Sequence, residues 1–134
     1  MITNTSLTIY NSKFDASSNT HVWTKTIIEK ANWYESLGSS RDSGGTDLNK
    51  TIKVRIPDNG SNGDGYVDES QYESMNDVSG VWTLKNDDFL VKGVCDLVIS
   101  SPKDLFASGV HTCRINSWSD NRRGKSPHWR VGGI

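Results

Sequence analysis

Val81-Trp82-Thr83-Leu84-Lys85-Asn86-Asp87-Asp88-Phe89-Leu90-Val91-Lys92-Gly93 is the stretch on which the fold turns. Two apolar runs rich in side chains suited to a pleated, half-buried surface flank the polar, turn-forming Lys85-Asn86-Asp87-Asp88, which predicts a β-hairpin. A lone hairpin is marginal in water, so other strands are needed to cover its apolar face.

Those strands are sought on either side. Ser6 to Tyr10 alternates, with Leu7 and Ile9 on one face, and is expected to end at Asn11–Asp15. His21 to Tyr34 reads as a second extended region, its β-branched density outweighing a short helix over Ile27–Tyr34. Thr51 to Ile56 alternates most cleanly: Ile52, Val54 and Ile56 face one way and Thr51, Lys53 and Arg55 the other, until Pro57 stops the ladder. Val94 to Ile99 is expected to continue extended. His111–Trp118 and Ser126–Val131 form the arms of a C-terminal hairpin around Asp120–Gly124.

Between the strands lie two glycine-rich stretches, Ser36–Asn49 (extended to 50 at its outer limit) and Asp58–Gly65 (running on to about 69). They read as long flexible loops without the apolar residues to order themselves. Ser70 is a candidate cap for a helical turn through Tyr72 and Met75. Ser101, with Pro102 behind it, is a candidate cap for another over Lys103–Phe106. Many short strands and almost no helical periodicity predict an all-β chain, a small antiparallel β-barrel or sandwich with long loops and one or two short helical turns. At 134 residues the whole chain, 1–134, is expected to be one domain.

Composition limits the function classes. Net charge is −1, without the overall basic footprint of a chain that wraps nucleic acid. Met1–Ser6 has neither the basic nor the apolar region of a signal peptide, and no apolar run reaches membrane-spanning length, so synthesis in a reducing cytoplasm is expected. Cys95 and Cys113 lack metal or disulfide-framework spacing and read as buried thiols. Five tryptophans, Trp23, Trp33, Trp82, Trp118 and Trp129, are many for this length and mark core or contact positions.

Each candidate for chemistry has a plainer competitor. Asp58, Asn62, Gly63 and Glu69, with Asp64 between them, match part of a calcium-loop pattern. However, Gly60 stands where a ligand belongs and a strand precedes the loop, so a solvated loop outweighs a metal site. Asp42-Ser43-Gly44-Gly45 has the letters of a trypsin-like nucleophile segment without the chain length such an enzyme needs. His111, Cys113, Cys95 and His128 contain no zinc-type spacing. No catalytic residue and no cofactor are expected. Arg114, Arg122, Arg123, Lys125 and Arg130 form a basic surface toward the C-terminus, whose charge a symmetric ring would multiply.

One ordered series of short motifs runs through most of the chain. It comprises Tyr10-Asn11-Ser12-Lys13-Phe14-Asp15, Trp23-Thr24-Lys25-Thr26-Ile27-Ile28 leading to Trp33, Thr51 to Pro57, Trp82 to Gly93, Asp120-Asn121-Arg122, and His128-Trp129-Arg130-Val131. In this series the chain resembles the head-closure (stopper or head-completion) proteins of tailed bacteriophages, often labelled minor capsid proteins in phages of Gram-positive bacteria. The resemblance implies a non-enzymatic virion protein of the neck, a homo-oligomeric ring of small barrels between portal or adaptor and tail. Such a ring retains packaged double-stranded DNA without base readout and docks the tail; assembly takes place in the host cytoplasm. It implies that Arg41, Asp42, Asp47, Lys50, Asp58, Asn62 and Asp64 serve as channel or partner loops. It also implies that a neighbouring chain completes His21–Ile28 or the C-terminal hairpin. Two other readings stand beside it. A tail-completion or tail-terminator protein would show helix over Ile27–Leu37 or Gln71–Val78. A carbohydrate-binding β-sandwich would expose Trp33, Trp118 or Trp129 to sugar rings.

Overall fold

The computed structural model describes residues 3–42, 45–58, 65–78 and 80–134, with backbone alone for 37–42 and 45–50. Six strands, β1 (Thr5–Asp15), β2 (Thr20–Asp42), β3 (Gly45–Pro57), β4 (Phe89–Lys92), β5 (Thr112–Asn121) and β6 (His128–Gly133), close into an antiparallel barrel in the order β1-β2-β3-β6-β5-β4. Two short helices, α1 (Glu69–Ser74) and α2 (Pro102–Ser108), lie in the connections.

The wall of the barrel repeats the alternation of β3. Trp33, Val54, Val131 and Trp118 occupy one rung across β2, β3, β6 and β5 and turn inward. The rungs beside it, through Lys53 and Arg55, turn out to solvent. Leu7, Ile9, Ile52, Val54, Ile56, Leu90, Ile115 and Trp129 are essentially fully buried in the interior.

The Val81–Gly93 hairpin does not form. Phe89–Lys92 is β4, but both of its edges are taken, by β1 (Ile9 opposite Leu90) and by β5 (Leu90 opposite Cys113). The preceding arm instead pairs once with Tyr66, in parallel. It sends Trp82 and Leu84 into the barrel core as a plug. The turn chemistry was right, since Asp87 adopts positive φ, but the turn leads across to β5, where Asp87 N–H bonds Ile115 C=O.

The reading also stops β1 too early. The strand continues to Asp15 and returns through a turn at 16–19 braced by the Asp15 carboxylate, which accepts from Ser17 and Ser18. Ser36–Asn49 is a further correction: its described residues are strand. Glycine and serine lower strand propensity, yet ladder hydrogen bonds are made by backbone and the register is inherited from Asn32–Glu35 below. Ile27–Leu37 is likewise strand, not helix. Asp68, not Ser70, caps α1 by accepting from Gln71 N–H. Ser101 and Pro102 do open α2, and Gly109 closes it at φ 75°.

Val94–Ile99 is not a strand. It packs outside the barrel over β1 and β4, where Tyr10, Phe89, Val91, Cys95, Ile99 and Leu105 form a second core. The Tyr10 hydroxyl donates to Leu97 C=O at 2.6 Å, and Thr8 Oγ1 bridges Gly93 C=O and Cys95 N–H. The segment from 94 to α2 therefore covers the outside of β1 and β4.

Candidate docking surfaces

The two stretches read as loops depart from opposite ends of β3. At roughly 3.3 Å per residue, Gly45 and Pro57 are roughly 40 Å apart.

At the Gly45 end, β2 and β3 outrun their neighbours. The last β6 rung is Ile52 opposite Gly133, and the last β1 rung is Thr5 opposite Ala31. Beyond them Ser36–Asp42 pairs only with Gly45–Thr51 among the described residues, a two-stranded arm about 20 Å long with both edges unpaired. Arg41, Asp42, Asp47 and Lys50 all lie on it, opposite Thr46, Gly45, Ser40 and Leu37. These four of the seven residues expected in loops therefore lie on a ribbon.

The base of the arm is fixed. The Asn4 amide bonds both the N–H and the C=O of Trp33 at 3.0 Å, and the Trp33 indole N–H donates to Glu35 at 2.9 Å. Glu35 in turn meets the His111 ring. Asn4, Glu35 and His111 were missed as a group because three distant segments supply them.

At the Pro57 end, Tyr66, Trp82 and Trp129 form a triangle with centroids 4.8–5.0 Å apart. The Arg122 guanidinium lies 5.0 and 4.9 Å from the Tyr66 and Trp129 centroids and is gripped by both Asp120 carboxylate oxygens at 2.7–3.0 Å. Those bonds hold Asp120 below the ordinary carboxylate range. Burial raises the Tyr66 phenol. Asp58 and Arg123 border an open groove beside this stack, and Asp58 N–H bonds Pro127 C=O. Asn62 and Asp64, the remaining calcium-loop and channel candidates, lie outside the described residues. Glu69 is the first residue of α1.

Among the described residues, no three His, Cys, Asp or Glu side chains gather as metal ligands. His111 sits at the arm base, Cys113 in the barrel core, Cys95 in the outer core and His128 against Ser126, so the zinc quartet is dispersed. Both cysteines are buried free thiols. No helix is long and apolar enough to cross a membrane. Of the five tryptophans, Trp33, Trp82 and Trp129 are core, while Trp23 and Trp118 are partly buried against it. Trp33 and Trp129 are therefore not available for sugar stacking. The basic surface divides: Arg122 is neutralised by Asp120, Arg114 faces Asp87 at 3.8 Å, Arg123 and Lys125 sit on the exposed turn after β5, and Arg130 is on the outer wall.

The family description covers nearly all of this architecture, matching residues 2–134. The chain belongs to DUF6751, a family of unknown function. No curated protein and no solved structure matches this DUF6751 chain. Within it, His21–Ile28 is already paired with β1, and the C-terminal hairpin with β3. Each pairing leaves a further edge: Thr20–Ala31 of β2 pairs with β1 alone and Asn11–Asp15 of β1 with β2 alone, so among the described residues unpaired strand edges occur there as well as on the arm.

Proposed function

We propose that this DUF6751 protein is a structural, non-enzymatic component of a tailed-phage neck. It forms a homo-oligomeric ring between portal or adaptor and tail that closes the DNA-filled head. The reading rests on the resemblance of its motif series to head-closure proteins and on one structural observation, the two-stranded arm. An isolated two-stranded ribbon with two bare edges gains most when another chain covers it. An arm rooted in a rigid barrel suits a part that orders against neighbours during assembly.

The tail-completion alternative calls for helix over Ile27–Leu37, which is strand, or over Gln71–Val78, where helix α1 ends at Ser74; the sugar-binding alternative calls for an exposed ring at Trp33, Trp118 or Trp129, of which Trp33 and Trp129 are buried and Trp118 is partly buried. The test is negative-stain microscopy of the purified chain, alone and mixed with portal–adaptor particles. The expected result is an added ring at the adaptor's exposed end. Failure to join at any concentration refutes the proposal.

A further inference from the structure

The outer wall of the barrel is covered on one side and bare on the other. Residues 94–108 lie over β1 and β4, whereas the outward positions of β3, β6 and β5 face solvent. Two rungs cross this bare side. One places Lys53, Gly132 and Ser117 in line, with Tyr34 beyond on β2; the other places Arg55, Arg130 and Ser119 in line.

Arg55 and Arg130 are thus directly opposite each other across two strands, an arrangement that destabilises a sheet unless an anion lies over it. No acidic residue occupies these outward positions. Among the described residues, Lys53, Arg55 and Arg130 make no ion pair, unlike Arg114 and Arg122. Gly132 leaves a groove of about 450 Å³ flanked by the hydroxyls of Thr51, Ser117 and Ser119. A Cβ on Gly132 would stand 2.5 Å from Ser117 Oγ.

We infer that this face, centred on Lys53, Arg55 and Arg130, binds the phosphate backbone of a nucleic acid without reading its bases. The chemistry favours phosphate over an acidic protein segment. β3 and β6 are paired on both sides here, so a peptide finds no free strand edge beside Lys53, Arg55 and Arg130, and the outward side chains around them are cations and hydroxyls. Closely spaced cations and hydroxyl donors suffice for a sugar–phosphate backbone. Exposed Tyr34 at the margin offers a stacking surface if the strand is single.

The inference shares a DNA partner with the neck-ring reading but not its assembly. Backbone binding by the isolated chain supports it whether or not rings form, and ring formation without DNA binding contradicts it alone. The test is fluorescence anisotropy of the purified chain with labelled duplexes of two unrelated sequences, a labelled single strand, and polyglutamate as competitor, across a salt series. Equal affinity for both duplexes, or preference for the single strand with loss on Tyr34→Ala, supports the inference and identifies the form bound.

The double variant Arg55→Ala/Arg130→Ala is expected to weaken binding on the order of tenfold and to lower the log–log salt slope by about two. It should melt no lower than the parent, because an opposed like-charge pair is gone. Lys53→Ala leaves that pair alone and should lower the slope by about one. Unchanged affinity and slope in these variants, loss confined to Arg123→Ala/Lys125→Ala on the turn, or displacement by polyglutamate at equal charge overturns it.

Discussion

The side-chain amide of Asn11 bonds both the N–H and the C=O of Thr83, at 3.2 and 2.9 Å, and so continues the ladder of β1 where β4 stops. The same Nδ2 also donates to Asp88 Oδ2 at 2.9 Å. Asn4 treats Trp33 in the same way at the other end of β1. Two asparagines thereby join the wall to its plug and to the base of its arm.

Asn11→Ala orphans the buried backbone groups of Thr83 and one acceptor of Asp88, and is expected to cost about 3 kcal/mol in urea unfolding. Asn4→Ala, at an exposed position, should cost about 1 kcal/mol. Equal losses would mean that the plug is not held through Asn11.

Asp88 is buried among Asn11, Ser12 and Lys85, and burial raises its pKa to about 6 despite the hydrogen bonds and the nearby cation, which favour the charged form. A carboxyl raised in the folded state is protonated there while the unfolded chain has already released its proton. Its contribution is therefore complete below about pH 4 and is lost as pH rises to about 6. That loss is of the order of 3 kcal/mol. Asp15, Asp104 and Asp120 act oppositely, in a separate window. Hydrogen bonds from Ser17, Ser100 and Arg122 hold them low, so their contributions are lost only as pH falls below about 4. Denaturant titrations between pH 4 and 7 should show stability falling with pH in the parent and a flat profile in Asp88→Asn. A parent that gains stability over that range contradicts the assignment.

Gly133 and Gly132 are adjacent on β6 but differ in what surrounds them. A Cβ on Gly133 meets Cys113 Sγ at 2.8 Å and Arg114 C=O at 2.9 Å, and the backbone cannot yield; on Gly132 its tight neighbour is the Ser117 hydroxyl. Gly133→Ala should cost about 2 kcal/mol and Gly132→Ala under about 1 kcal/mol in thermal unfolding. The reverse order would show that the register of β5 and β6 is wrong.

Arg122→Lys keeps the charge but loses the flat guanidinium over Tyr66 and Trp129 and the two-point grip of Asp120. It should cost nearly as much as Arg122→Ala, about 1 kcal/mol, with the same change in near-ultraviolet circular dichroism. Full retention by lysine would reduce the stack to a simple surface ion pair.

The parts of the fold legible in sequence were those decided locally. Ile52, Val54 and Ile56 announce β3 because one face meets the core and the other meets water. Ser101-Pro102 announces α2 because cap chemistry is contained in adjacent residues. The Trp82–Phe89 region misled because Asp87 makes a genuine turn, while the partner of each arm is chosen by distant strands competing for the edges of β4. The arm was hidden for the opposite reason: Ser36–Asn49 has the composition of a loop, and its pairing is a backbone property propagated from the barrel. Lys53 and Arg55 could be read as outward-facing, but nothing near them in sequence signals that Arg130 would stand beside Arg55.

Amide hydrogen exchange resolved along the chain tests the central claim, that a closed barrel presents its arm for assembly. In the isolated protein, amides of the arm at 36–42 and 45–51 should exchange far faster than those of β1, β6 and the Ile52–Ile56 part of β3, and should become protected when portal–adaptor particles are added. Arm amides already as protected as the wall in the isolated chain, or protection on assembly that leaves the arm unchanged, would contradict the account.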